Sequence, residues 1–268
     1  MKKLNIGIIG AGRIGKVHAQ SICYNVPTAK VLGITDVYKD HLPALCQEYG
    51  IEKIYDSYVD MLEDKDIDAV LVCSSTDTHA DIAIAAAKAG KHVFCEKPVD
   101  LTPEKVQAVI DTVKETGVKL QVGFNRRFDH NFSAIKSMIN DGKVGDVEVI
   151  KITSRDPAPP SPEYAAVSGG MFVDMTIHDF DMARFMAGSP ITEVYANATC
   201  LVDPAIGEAG DVDTAVISLK FENGAIGNII TSFDVYASDL PRIEIYGTKG
   251  SVAFDLMQPN YLKFYDAT

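Results

Sequence analysis

The sequence predicts an α/β protein of two domains, in which a doubly wound parallel sheet is followed by an α+β domain with an open antiparallel sheet. In the first stretch of about 120 residues, short apolar runs alternate with amphipathic helical segments, which is typical of a parallel sheet covered by helices on both faces. Beyond it, strand-like runs follow one another and are separated by hairpin-type turns. The composition, 47% hydrophobic and 23% charged, is that of a globular protein.

The first domain is predicted to span residues 1–123. Its apolar runs are short and continuous, as expected of buried parallel strands. The last of its helices is predicted to begin with Thr102 as the capping residue and Pro103 at the first helical position. The predicted strands are 6–9, 31–35, 69–73, 92–95 and 119–122, and the predicted helices lie near 13–24, 78–89 and 102–116.

The second domain is predicted to span residues 124–268. The turn signals at 222–224 and 247–250 separate strand-like runs, as antiparallel hairpins require. Two helices are predicted, one near 130–141 and one at about 174–187. The predicted strands are 147–154, 193–202, 214–221, 225–232, 242–246 and 251–254.

A glycine-rich segment directly follows the first predicted strand. From Gly10 to Gly15 it has the G-x-G-x-x-G spacing, in which Gly10 permits a tight turn, Gly12 lets the backbone approach a pyrophosphate and Gly15 lets the helix pack on the strand. Asp36 ends the second predicted strand, where an acid binds a ribose 2′-hydroxyl and would repel a 2′-phosphate. The first domain is therefore predicted to be a Rossmann domain that binds NAD, although Lys39 leaves NADP open.

A lysine stands just past the end of another predicted strand. Lys97 lies between Glu96 and Pro98, at the edge of the sheet where ligands bind in open α/β folds. There its ammonium group could hydrogen-bond a substrate hydroxyl and stabilise a developing oxyanion. The alternative is a surface lysine paired with Glu96, and position alone does not decide between the two.

An acid and a histidine are four residues apart in the predicted helix at about 174–187. Asp174 and His178 would share one face of that helix and could hydrogen-bond. A carboxylate that holds one imidazole nitrogen leaves the other as a base. The alternative is a hydrogen bond with a purely structural role.

Charge and cysteine usage exclude several classes of protein. The net charge of −12 argues against a nucleic-acid partner, because phosphate neutralisation needs clustered Lys and Arg. The five cysteines are widely spaced and form no C-x-x-C pair, which indicates free thiols in a reducing compartment and no zinc site. No apolar stretch approaches the length of a membrane span or has the form of a signal peptide. We therefore expect a cytoplasmic protein without a membrane partner.

Several motifs together resemble the Gfo/Idh/MocA oxidoreductase family and, within it, the inositol 2-dehydrogenase branch. The Glu-Lys-Pro and Asp-x-x-x-His motifs in combination are specific to the family, and the resemblance runs through essentially the whole chain. The matching segments are residues 10–15 with His18, 74–76 with His79, 96–98, 123–128, 154–157, 174–179 and 201–214.

The resemblance implies a role for individual residues. His178 would be the general base, Asp174 would orient it, and Lys97 would polarise the oxygen of the oxidised hydroxyl. The implied substrate-binding residues are Lys97, Arg127, Asp174, His178 and Tyr236. The implied cofactor-binding residues are Gly10, Gly12, Arg13, Ile14, Gly15, Asp36, Ser74, Thr76, His79 and Glu96.

The resemblance also implies a reaction in which a hydride passes from a polyol CH–OH group to NAD. The substrate expected first is myo-inositol, and its product would be the 2-inosose. An NAD-dependent glycosidase, another sugar dehydrogenase of the family and a non-catalytic NAD-binding sensor remain alternatives. Segment 233–240 departs from the inositol branch and leaves the polyol open. We further expect a homodimer or homotetramer formed through the second domain, and a C-terminal truncation relative to the family, since the chain ends at Thr268.

Overall fold

The structure of the protein, a computed structural model, describes residues 3–234, 242–255 and 261–266. The chain divides into two compact units, Met1–Gly123 and Phe124–Thr268. Each unit has a sheet and a hydrophobic core of its own. Within the described ranges, no helix combines the length and the apolar character needed to cross a membrane.

The first unit is a parallel sheet with helices on both faces. Its strands are β1 (Leu4–Ile9), β2 (Ala29–Thr35), β3 (Lys53–Ile54), β4 (Ala69–Val72), β5 (His92–Cys95) and β6 (Leu120–Val122). Its helices are α1 (Arg13–Asn25), α2 (Leu42–Tyr49), α3 (Tyr58–Glu63), α4 (Thr76–Lys88) and α5 (Pro103–Thr116). The strand order β3-β2-β1-β4-β5-β6 is that of doubly wound dinucleotide-binding folds, which confirms the predicted sheet.

The predicted elements of this unit agree with the structure to within two residues at each end. Central strands such as β1 and β4 are buried, with side chains such as Ile8 and Val70 completely inaccessible to solvent. Buried parallel strands have short, continuous apolar sequences, and these runs made the strands predictable. The sequence did not predict α2, α3 or β3. A two-residue strand carries no periodicity, and helices of six to eight residues show less than three turns of it.

The second unit packs helices on one face of a larger sheet. Its strands are β7 (Val147–Arg155), β8 (Ile191–Thr199), β9 (Thr214–Phe221), β10 (Ile226–Ser232), β11 (Arg242–Gly247), β12 (Gly250–Asp255) and β13 (Leu262–Asp266). Its α-helices are α6 (His130–Asn140), α7 (Pro162–Ser168), α8 (Ile177–Ala187) and α9 (Pro204–Glu208), with a 3₁₀ turn at Asn125–Phe128. The strand order is β13-β12-β11-β7-β10-β9-β8.

The prediction of a wholly antiparallel second sheet is wrong in one respect. Strands β7 and β10 pair in parallel, from Val149 opposite Ile226 to Arg155 opposite Ser232. Hairpins make neighbouring strands antiparallel, but β7 and β10 are joined by a long connection that contains three helices and two strands. Such a crossover returns the chain in the same direction, so the sheet is mixed.

The predicted helix at about 174–187 also differs from the structure. Met171–Met175 forms a π-helical turn, and α8 begins only at Ile177. The amide of Thr176 donates to the carbonyl oxygen of Met171 at 2.8 Å, which spans five residues where an α-helix spans four. The hydroxyl of Thr176 donates to the same oxygen at 2.9 Å. Asp174 therefore lies in the π-helical turn and His178 in the first turn of α8.

Candidate active site

The glycine loop has the geometry that dinucleotide binding requires. Gly10 has a φ of 97°, and a Cβ atom there would lie 2.5 Å from the carbonyl carbon of Cys73. A Cβ atom on Gly15 would collide with the backbone of Gly10, whereas one on Gly12 would meet nothing within 4 Å. Gly10 and Gly15 thus permit the tight fold of the loop, and Gly12 leaves backbone open beside the N-terminus of α1. The loop fits a pyrophosphate.

Asp36 lies at the end of β2 and faces the glycine loop. One carboxylate oxygen accepts a hydrogen bond from the amide of Ala11 at 2.5 Å, and the other accepts from the amide of Tyr38 at 2.8 Å. These bonds hold the carboxylate at the edge where a ribose would bind. Lys39, which left NADP open, forms an ion pair with Asp56 at 2.9 Å. Lys39, the cationic residue nearest to Asp36 in the sequence, is thus paired with a different acid, which favours NAD over NADP.

The loop after β4 carries the next group of predicted cofactor residues. Ser74 shares a hydrogen bond of 2.7 Å with the hydroxyl of Thr78, and Thr76 is the first residue of α4. His79 is 2% exposed, and its ring nitrogens lie 2.8 Å from the carbonyl oxygen of Pro98 and 3.0 Å from that of Ser74. A buried ring placed on two carbonyl oxygens ties two loops together. These contacts fix the position of the ring, and the expectation that His79 contacts the cofactor stays a prediction.

Glu96 is fixed by contacts inside the first unit. One carboxylate oxygen lies 2.6 Å from Nε2 of His18 on α1, and the other accepts from the amide of Lys97 at 3.3 Å. A Cβ atom on Gly123 would lie 2.8 Å from this second oxygen, so the glycine leaves room for the carboxylate. The carboxylate thus links α1 to the backbone of Lys97, whose peptide bond to Pro98 is cis. The side chain of Lys97 is half-buried.

The cysteine next to Glu96 is not a nucleophile. Burial and, to a smaller extent, the charge of the Glu96 carboxylate raise the pKa of the Cys95 thiol to about 12. Burial, the Glu96 carboxylate and the neighbouring Cys95 raise the pKa of Cys73 well above its usual range. Both thiols therefore stay protonated at neutral pH, and cysteine chemistry does not compete with an assignment based on Lys97.

The second unit presents Asp174 and His178 on either side of the junction between the π-helical turn and α8. Both side chains are half-buried. The ring of Phe124 meets the His178 ring edge to face, with centroids 6.5 Å apart. A histidine with an aromatic wall on one side is partly shielded from water, which suits a base that must exchange a proton with a bound substrate and not with solvent.

The part of Arg127 in lining a polyol pocket stays a prediction, but the structure shows contacts of this residue inside the second unit. Its guanidinium group forms two hydrogen bonds with Asp181 on α8, at 2.8 and 2.5 Å, and lies 5.1 Å from the ring centroid of Phe185. An arginine held by a bidentate carboxylate is restricted in orientation. Arg127 thus anchors the 3₁₀ turn to α8. Tyr236, the other predicted pocket residue, lies outside the described residues.

The neighbouring Arg126 forms the contact that sequence reasoning missed. It donates to the carboxylate of Asp179, which is completely buried and directly follows His178. Burial raises the pKa of Asp179, and the charge of Arg126 opposes that shift. The available signal was the presence of two acids, Asp179 and Asp181, among the apolar residues of this helix, since buried acids need cationic partners.

Comparison with known proteins places this arrangement in a family. A family model described as "Oxidoreductase family, NAD-binding Rossmann fold" matches residues 4–124, and one described as "GFO/IDH/MocA C-terminal domain" matches residues 132–253. The chain is 49% identical over 253 residues to myo-inositol 2-dehydrogenase of Thermotoga maritima, which covers 94% of this chain and 75% of that protein. It is 45% identical over 257 residues to inositol 2-dehydrogenase of Rhizobium meliloti, which covers 96% and 77%.

A solved structure agrees with these relatives. The crystal structure of scyllo-inositol dehydrogenase from Lactobacillus casei with bound NAD(H) and scyllo-inositol matches with a TM-score of 0.88 and 32% identity, over 98% of this chain and 79% of that one. Fold and glycine loop together define an NAD-binding oxidoreductase. The chain belongs to the GFO/IDH/MocA family, which confirms the resemblance seen in its motifs and the prediction of NAD as cofactor.

Proposed function

We propose that the protein oxidises a ring CH–OH group of a cyclic polyol, with myo-inositol or a near stereoisomer as substrate and the 2-inosose as product. The observation that carries the proposal is the pair Asp174 and His178, half-buried on either side of the junction between the π-helical turn and α8. Inositol dehydrogenases at 45–49% identity, and one solved with NAD(H) and scyllo-inositol, support the choice of polyol.

Each residue of the proposed site has one task. His178 accepts the hydroxyl proton through its neutral imidazole, and Asp174 orients the ring and binds a neighbouring hydroxyl. The ammonium group of Lys97 hydrogen-bonds the oxygen that becomes the ketone and stabilises negative charge on it. Bound NAD supplies the acceptor for the hydride that leaves the same carbon. The alcohol thus loses one hydride and one proton and becomes a ketone.

The cofactor contacts are proposed on the same basis. The backbone at Gly10, Gly12, Arg13, Ile14 and Gly15 would bind the pyrophosphate, and Asp36 would bind the ribose next to the adenine. Ser74 and Thr76 follow β4 at the carboxyl edge of the sheet, where the rest of the dinucleotide would pass. Glu96, tied to His18, would fix the backbone of Lys97 beside it.

The test is a substrate screen that follows NADH formation by absorbance. We expect kcat/KM for myo-inositol or scyllo-inositol to exceed that for glucose, and deoxy-inositols to lose about 10⁴-fold, because a site that hydrogen-bonds several hydroxyls is left with unpaired polar groups when one is absent. Lys97→Met and His178→Ala should abolish oxidation, whereas the exposed control Lys88→Met should not. An aldose that exceeds every inositol by about tenfold would refute the polyol assignment. Release of an aglycone without net NADH would instead indicate a glycosidase.

We also propose that the protein acts as a homodimer or homotetramer joined through the face of the second sheet that carries no helix. Outward-facing positions alternate with core residues along its strands, which gives one face to α6 and α8 and leaves the other, with several exposed apolar side chains, for an outside partner. The exposed members of this outer face are Tyr195, Val216, Ile226, Tyr246 and Tyr265. Light scattering of Val216→Lys and Ile226→Lys should show a smaller species than wild type. A monomeric wild-type protein would refute the proposal.

The compartment proposed is the cytoplasm. The five cysteines, Cys23, Cys46, Cys73, Cys95 and Cys200, are free thiols, as expected in a reducing environment. Fractionation of cells that express the protein tests this proposal, which predicts the protein in the cytoplasmic fraction.

A further inference from the structure

The segment between β8 and β9, residues 200–213, is folded around one buried carboxylate. Asp213 is completely buried and accepts hydrogen bonds from the amides of Leu201, Val202 and Asp203, at 2.7, 2.7 and 2.9 Å. Burial by itself raises the pKa of this carboxyl, but the backbone donors outweigh it and the pKa is lowered to about 2. The carboxylate is charged at neutral pH and holds both ends of the segment together.

Another acid of this segment, Asp211, is hydrogen-bonded to the turn that contains one of the proposed catalytic residues. Asp211 accepts a hydrogen bond from the amide of Met171 at 2.9 Å, across 40 residues of sequence. Met171 is the first residue of the π-helical turn that contains Asp174, so Asp211 supplies the partner for an amide that the turn itself cannot satisfy. Asp211 is itself held, since its amide donates to the carbonyl oxygen of Ile206, a completely buried residue, at 3.1 Å.

Gly170 makes this contact possible. It has a φ of 69°, and a Cβ atom on it would lie 2.6 Å from the Cγ atom of Asp211. Only a glycine lets the chain turn at this point and lets the carboxylate reach the next amide. The π-helical turn thus begins at a position set by Asp211, and its carbonyl at Met171 accepts both bonds from Thr176, two residues before His178.

We propose that Asp211 is a positioning residue, which sets the π-helical turn and thereby the relative placement of Asp174 and His178. The expected effect on the reaction rate rests on the proposed function, but the hydrogen bond between Asp211 and the Met171 amide can be tested without any substrate. A displacement of about 1 Å in a reacting group can cost about 100-fold in rate. Loss of the Asp211 carboxylate should therefore lower kcat and leave the NAD site, which belongs to the other unit, unchanged.

The experiment compares Asp211→Ala and Asp211→Asn with Asp203→Ala in the same segment. Asp203 is a matched control, because its carboxylate also accepts one backbone hydrogen bond, from Ala205 at 2.9 Å, but at the start of α9. Asp211→Ala should lower kcat for the polyol by about 10- to 100-fold with an unchanged Kd for NAD. Asp211→Asn keeps an acceptor oxygen and should retain most of the rate, and Asp203→Ala should stay within about twofold of wild type.

Hydrogen exchange supplies the second readout. The amide of Met171 should exchange at least about tenfold faster in Asp211→Ala than in wild type and should be unaffected in Asp203→Ala. If exchange is unchanged, or if kcat falls equally in the two alanine variants, the positioning role is wrong. If wild type oxidises no polyol, the proposed function fails, and the exchange rates alone decide whether Asp211 fixes the turn. Should Asp211→Ala not fold, exchange at the Met171 amide in Asp211→Asn decides instead: a neutral amide oxygen accepts more weakly than a carboxylate, so exchange should be faster than in wild type, and an unchanged rate would overturn the proposal.

Discussion

Replacement of Arg126 by methionine would leave the carboxylate of Asp179 buried without its cation. The carboxylate is completely buried and pairs with Arg126 across 53 residues of sequence. Removal of one partner of a buried ion pair costs about 3–5 kcal/mol, because the remaining charge is neither solvated nor compensated. We therefore expect Arg126→Met to lose about 3–5 kcal/mol of unfolding free energy at pH 8.

This loss should depend on pH in a defined direction. Burial already raises the pKa of Asp179 above its ordinary value of 3.8, and removal of Arg126 takes away the largest opposing cause, so the folded-state pKa rises further. Below pH 3.8, the Asp179 carboxyl is protonated in both the folded and the unfolded chain, so the variant loses the least unfolding free energy relative to wild type. Between the folded-state pKa of Asp179 in wild type and its higher folded-state pKa in the variant, Asp179 ionises in folded wild type but stays protonated in the folded variant, so the deficit of the variant grows by about 1.4 kcal/mol for each pH unit.

The assay is urea unfolding followed by far-UV circular dichroism at pH 5, 6.5 and 8. The control is Arg184→Met, which makes the same change at an exposed position of α8. It should change the unfolding free energy by no more than about 0.5 kcal/mol at any pH. A deficit for Arg126→Met that is equal at pH 5 and pH 8, or no larger than that of the control, would show that Asp179 does not depend on Arg126.

Three further predictions concern the cofactor, the base and the loop. Asp36→Ala should lower the preference for NAD over NADP by about tenfold or more, measured as the ratio of the two Kd values, because the ribose loses its acceptor. In wild type, kcat/KM for oxidation should rise with pH and then level off, since His178 must be neutral to accept a proton; a rate fastest at acid pH contradicts this. The Asp213 carboxyl, with its pKa lowered to about 2, should contribute stability that is complete above pH 4 and lost as the pH falls from 4 toward 2. That contribution, on the order of 2 kcal/mol, should be absent from Asp213→Asn in acid unfolding curves.

The sequence by itself determined the parts of this protein that depend on local patterns. Each strand at the centre of the first sheet is a short apolar run, and the three glycines Gly10, Gly12 and Gly15 lie within six consecutive residues that directly follow one of these strands. The motif of Asp174 and His178 was visible for the same reason, since the two residues are only four positions apart, although the structure places them in two different helical elements. The tasks of Lys97, Asp174 and His178 stay predictions until the variants are measured.

Tertiary structure alone decided which polar groups meet. Nothing local in the sequence shows that the guanidinium group of Arg127 binds Asp181, or that the His79 ring lies between the carbonyl oxygens of Pro98 and Ser74. The contacts that decide these cases join residues far apart in the chain, such as Asp211 with Met171 and Arg126 with Asp179. The direction of β10 beside β7 depends likewise on a long crossover. Helices and strands follow from the local sequence, but the partner of a buried charge depends on the tertiary fold. Burial makes a partner necessary, and the fold determines which oppositely charged residue lies within reach.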